Sequence, residues 1–156
     1  MSVSDRQIST AANGTGLPAR AIAAAERIPL SLPLLLARIG IGTVFFRSGL
    51  TKLESWPTTI SLFEEEYRVP ILPPEIAAWL ATGCELVCPV LLVLGLATRI
   101  AVLPMLAMTI VIQLFVYPSS WIDHTIWAAL LLLLLARGAG AISIDALIAR
   151  RTQRNA

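Results

Sequence analysis

The chain has 156 residues, of which 56% are apolar and 14% charged, a charged share about half that of a soluble domain. With a mean hydropathy of +0.77, this composition excludes disordered tails, collagen-like repeats and coiled coils as the main architecture, and it makes lipid the expected solvent. A net charge of +2 over twelve Lys and Arg, with no basic stripe interleaved with aromatics, excludes nucleic acid as a partner.

Residues 1–28 are rich in Ser, Thr, Ala and Gly and read as a flexible cytoplasmic leader, since no apolar run follows the early arginines closely enough for a secretory signal. Four apolar runs come next, at about 30–50, 76–97, 100–117 and 121–138. Each is close to the roughly 20 residues that cross about 30 Å of hydrocarbon at about 1.5 Å per residue, the last being the shortest. Their hydrophobicity is continuous rather than alternating, which argues against a membrane barrel. The predicted fold is all-α: an integral membrane four-helix bundle over residues 29–140, followed by a basic cytoplasmic tail, 141–156.

Orientation follows from the arginines. Arg6, Arg20, Arg27, Arg99 and Arg137 join Arg150, Arg151 and Arg154 on the side that holds both termini, which is therefore predicted to be cytoplasmic. The other side carries Lys52 and Arg68 with the acidic run Glu64, Glu65 and Glu66, and Trp56, Trp79, Tyr117 and Trp121 mark its interface. In the first periplasmic loop Trp56, Ile60, Phe63 and Tyr67 recur at helical spacing, predicting a short amphipathic helix capped by Ser55, with Pro57 in its first turn and Glu64 paired with Arg68. At the other extremity Ser143 is placed to cap a basic segment lying on anionic lipid.

Ionisable groups inside a span cost about 2.5 to 3.5 kcal/mol each on insertion scales, so each calls for a partner or a purpose. Counted from the inner ends of their spans, Arg38 and Glu85 lie at depths within about one turn of each other, and a buried Arg38–Glu85 pair is expected. Pro89 removes the hydrogen bond to the Glu85 carbonyl, making that position acceptor-rich. Arg38, Phe45, Gly49 and Lys52 share one face of span one, while Arg47 falls opposite and is expected to snorkel outward toward the acidic loop. Glycines 40, 42 and 49 permit close helix approach. Gln113 and His124, with Asp123 adjacent, are placed to form a polar mouth near the outer surface. A single histidine excludes bis-histidine haem.

Cys84 and Cys88, four apart, present both sulfurs on one face but disfavour a bridge between them. With Met105 and Met108 at similar depth a soft Cu(I) site is conceivable, although ordinary packing is the simpler reading and no metal is expected.

In their order across the spans, Arg38 and Gly42, the GLTK of Gly49 to Lys52, Glu85, the LGLATR ending at Arg99 and the RGAGAISID ending at Asp145 resemble the DoxX family of small bacterial membrane proteins. FEEEYRVPILPPE, from Phe63, resembles the first outer loop of a proteobacterial branch. The resemblance implies a multi-pass inner-membrane protein working beside redox enzymes, since the family takes its name from a subunit linked to quinone-coupled sulfur oxidation. It attaches no catalytic role to Arg38, Lys52, Glu85 or Asp145. The expected function is an accessory or quinone-interacting subunit of a membrane redox system. Arg38, Lys52, Glu85, Gln113 and His124 are its candidate binding residues, quinone its candidate cofactor, and membrane lipid and a protein in the membrane or periplasm its partners. The alternative is a non-enzymatic scaffold, or a small-solute or copper-handling transporter component.

Overall fold

A computed structural model describes residues 17–154, and all regular structure among them is helical. The Ala-rich segment Leu17–Glu26 of the leader forms a helix, α1, as its propensity favours. Residues 1–16 of that leader and residues 155–156 of the tail lie outside the described residues.

The long helices follow the apolar runs with shifted ends. Helix α2, Ser31–Glu54, continues a turn beyond its run, since nothing breaks the helix before Ser55 takes an extended conformation (φ −148°). Helix α3, Trp56–Leu62, runs on as a π-helical turn, Phe63–Tyr67, and is the expected loop helix. Ser55 sits at its N-cap position, but its hydroxyl bonds Thr58 Oγ1 at 2.7 Å instead of a backbone amide. The expected Glu64–Arg68 pair does not form. Arg68 adopts a left-handed conformation to leave the π turn (φ 41°), and its Nε donates to the Glu65 carbonyl at 3.0 Å.

Helix α4 is Pro74–Leu94, closed by Gly95 at φ 67°, and α5 is Thr98–Val111, extended by a second π-helical turn, Ile112–Val116. Helix α6 is Trp121–Arg137 and α7 is Ile144–Arg154, whose Ala146 amide donates to Ser143 Oγ at 3.1 Å, the anticipated cap. Among the described residues three helices are long and apolar enough to cross a membrane: Ser31–Glu54, Pro74–Leu94 and Thr98–Val116. At 17 residues α6 is shorter.

Helix α2 packs on α4, α4 on α5, α5 on α6 and α6 back on α2. Leu34, Ile41, Phe45, Leu92, Met105 and Leu131 fill the space between them. Two glycines set the α2–α4 approach: a Cβ at Gly42 would lie 2.9 Å from Val93 Cγ2, and one at Gly49 would lie 3.0 Å from Glu85 Cβ. Gly40 meets nothing within 4 Å and contributes no such contact. Leu36, Val87, Leu103 and Leu132 project outward, exposed. The start of α2, the α4–α5 turn, the end of α6 and α7 make a basic end. The opposite, aromatic end carries α3, with Trp56 stacked on Trp79 at 4.3 Å between ring centroids.

Candidate functional site

The contact at Gly49 decides the chemistry of the aromatic half. With no side chain there, α4 comes close enough for Lys52, three residues further along α2, to reach Glu85: Nζ lies 2.8 Å from Oε2 and 3.0 Å from Oε1. Ser48, one turn earlier on the same face, donates to Glu85 Oε1 at 3.1 Å and accepts from Lys52 Nζ at 3.1 Å. The carboxylate is buried (3% exposed) and the ammonium nearly so (14%), which makes this a charge-assisted network inside apolar surroundings.

This network forms one wall of a partly open cavity of about 510 Å³ between α2, α4, α5 and α6, lined mainly by apolar side chains. Across it stands His124 from the first turn of α6. Its Nδ1 lies 2.7 Å from Gln113 Oε1, while Gln113 Nε2 donates to the Pro118 carbonyl at 2.9 Å. That arrangement makes Nδ1 the donor, and in the neutral imidazole it leaves Nε2 as an acceptor. Trp127 packs its edge on His124 at 5.0 Å and on Phe45 at 5.6 Å, holding both rings in place.

The π turn that follows α3 roofs the cavity with Phe63 and Tyr67, and the segment after it adds Val69 and Leu72. Thr59 Oγ1 bonds the Lys52 carbonyl at 2.8 Å and ties the roof to α2. Tyr117, at the end of α5, donates to Glu66 Oε1 at 3.0 Å and places its ring 6.0 Å from that of Tyr67, which latches the other side.

Arg38 does not belong to this site, and the expected Arg38–Glu85 pair is absent. Arg38 packs at the level of Leu92 and Val93, whereas Glu85 packs at Gly49, eleven positions or about 16 Å further along α2. The matched depths fail because the helices do not end in one plane: α4 stops at Gly95, level with Arg38, while α2 begins two turns beyond. The fully buried guanidinium instead donates to the carbonyls of Leu92 (3.5 Å), Val93 (3.1 Å) and Ile142. It thereby satisfies the Val93 carbonyl, left open where Gly95 ends α4, and the Ile142 carbonyl, and adds a long second bond to the Leu92 carbonyl that already accepts from the Gly95 amide. Asp145 completes the joint, its two oxygens accepting from the amides of Ala97 (2.8 Å) and Thr98 (3.2 Å) at the start of α5.

Of the five expected binding residues, Lys52, Glu85 and His124 line the cavity, Gln113 reaches it through His124, and Arg38 lies outside. Arg47 is exposed. Cys84 and Cys88 are free thiols with Sγ atoms 3.6 Å apart, and Cys84 and Met108 face the cavity while Met105 is buried in the core. No three His, Cys, Asp or Glu converge among the described residues. The residues missed in the sequence are Ser48, Tyr67 and the Glu66–Tyr117 latch. Ser48 carried a signal, lying one turn before Lys52 on the same face. The latch joins residues 51 positions apart and carried none.

The sequence profile of the DoxX family matches residues 33–118, which include α2 from its third residue on, the roof, α4 and α5. A Haemophilus influenzae protein described as "Uncharacterized protein" is 30% identical over 135 residues, covering 79% of this chain and 87% of its own. No solved structure matches.

Proposed function

The chain belongs to the DoxX family of membrane proteins, and from that premise we propose that it is an inner-membrane subunit whose cavity holds the ring of a quinone for a membrane redox system. In this reading α6 crosses with the three longer helices, since it packs against α5 and α2 along its length and is apolar throughout its second half. The basic end lies in the cytoplasm, by the excess of arginine there, and the cavity opens toward the periplasmic half.

The observation that carries the proposal is the cavity itself, an apolar space of about 510 Å³ with a Lys52–Glu85–Ser48 network on one wall and His124 on another. Such a space suits a flat ring with an oxygen at each end better than a solvated ion. Lys52 and Ser48 would hold one ring oxygen by turning a donor from Glu85 toward it, and His124 Nε2, the acceptor that Gln113 leaves facing the cavity, would receive the hydroxyl of the reduced ring at the other. A bound quinone would supply two-electron, two-proton redox chemistry. Glu85 is the carboxylate placed to hold a proton beside it, and the roof excludes water. A protein in the membrane or periplasm would supply the electrons.

Titration of purified protein with a short-chain ubiquinone tests this, with Trp127 as a fluorescent reporter in the wall. The expected result is saturable quenching by the quinone and by its reduced quinol, which Ser48→Ala weakens about tenfold for both forms and His124→Ala about tenfold for the quinol. Absence of saturable quenching would overturn it.

One observation favours a second reading. Lys52 spends its donors inside the network, on Ser48 and both Glu85 oxygens, as a purely structural pair in a scaffold or small-solute transporter would. Copper handling rests on Cys84, Cys88 and Met108, and it requires bound metal that disappears in a Cys84→Ser, Cys88→Ser variant.

A further inference from the structure

At the basic end a second groove, of about 650 Å³, lies between the first turn of α5, the end of α6, the Gly138–Ser143 linker and α7. Arg99, Arg137 and Arg150 line it, each from a different helix. Arg99 is held in place by donation from Nη2 to the Ala136 carbonyl at 3.3 Å, at the negative end of α6. The one carboxylate in the lining, Asp145, is already committed: both its oxygens face the Ala97 and Thr98 amides. Among the described residues no carboxylate lies within ion-pair distance of the three arginines. Three guanidinium groups thus line one groove against a single carboxylate that is turned to backbone amides, leaving an excess of positive charge that an entering anion offsets.

The walls say which kind of anion. Ile100 lines the groove and is 72% exposed, and Leu103 continues the same face of α5 away from the arginines, also exposed. Leu147 and Ile148 leave α7 on the side away from the groove, half exposed. Basic groups in a cleft that opens onto an apolar helix face match a ligand with a phosphate at one end and acyl chains at the other. We propose that this groove is a binding site for an anionic phospholipid, its headgroup phosphate held by Arg99, Arg137 and Arg150 and its chains lying along Ile100 and Leu103. A zwitterionic lipid brings no net charge to offset the three arginines and binds less well.

The test is native mass spectrometry and thermal unfolding of the full-length protein in detergent, titrated in separate arms with phosphatidylglycerol, phosphatidylcholine and inorganic phosphate. Phosphatidylglycerol is expected to remain bound and to raise the unfolding temperature, the other two to do neither. The triple variant Arg99→Gln, Arg137→Gln, Arg150→Gln should unfold like the parent without lipid and lose at least about tenfold in phosphatidylglycerol affinity. Arg151→Gln, Arg154→Gln, outside the groove, should keep it. Equal affinity for both lipids, an equal shift from phosphate alone, or an equal loss in the Arg151, Arg154 variant would each overturn the site. The last outcome would mean diffuse attraction to the basic tail. If the triple variant unfolds without lipid, the single variant Arg150→Gln replaces it, with a partial loss of affinity expected and an unchanged affinity overturning the site.

Discussion

Lys52 and Glu85, 33 positions apart in the chain, meet at 2.8 Å across the α2–α4 interface because Gly49 leaves no side chain between the two helices. The pair is enclosed by apolar groups, so each charge depends on the other. Its energetic signature is therefore in what one partner becomes when the other is removed.

Lys52→Met strands a buried carboxylate and should destabilise the protein by about 3–5 kcal/mol, whereas Lys52→Met with Glu85→Leu should recover most of that loss. Thermal unfolding followed by helical circular dichroism reads both. Equal losses in the single and double variants would show that the two groups are not coupled.

Arg38→Met should cost about 3 kcal/mol by leaving the Val93 and Ile142 carbonyls without their donor, and Arg38→Lys should restore only part, since an ammonium cannot span both acceptors as the guanidinium fork does. Ligand affinity per folded molecule should not change, because Arg38 lies about 16 Å from the level of Glu85. A selective loss of binding without loss of stability would return Arg38 to the site.

Gly49→Leu drives a side chain into Glu85 and Leu86 and should cost about 1–3 kcal/mol while abolishing occupancy of the cavity. Gly40→Ala meets no atom within 4 Å and should be neutral or stabilising by up to about 1 kcal/mol. Parallel unfolding and binding measurements on the two variants separate interface glycine from outward-facing glycine.

Tyr117→Phe removes the 3.0 Å bond to Glu66 that latches the roof over the cavity. Stability should fall by no more than about 1.5 kcal/mol, the net worth of one hydrogen bond, while ligand dissociation accelerates. Stopped-flow release of a fluorescent ligand measures it, and an unchanged off-rate would show that the roof does not gate the cavity.

Residue order alone determined that this chain is helical and built for lipid, where its long helices lie, and that Gln113 and His124 fall near one end. These depend on apolar run length and on spacing within a turn or two, which a single segment carries. Of the glycines it offered for close helix approach, 40, 42 and 49, only the structure separated Gly42 and Gly49 from Gly40. Which charges pair was decided only in three dimensions. Periodicity says which face of a helix turns inward, but it does not say how far one helix slides along its neighbour. Here that slide is set by Gly42 against Val93, Gly49 against Glu85 and Leu86, and the stop at Gly95, contacts between residues tens of positions apart. A shift of about three turns moved Glu85 from the level of Arg38 to that of Gly49, within reach of Lys52, and with it moved the polar centre from the middle of the helices to the cavity beneath α3.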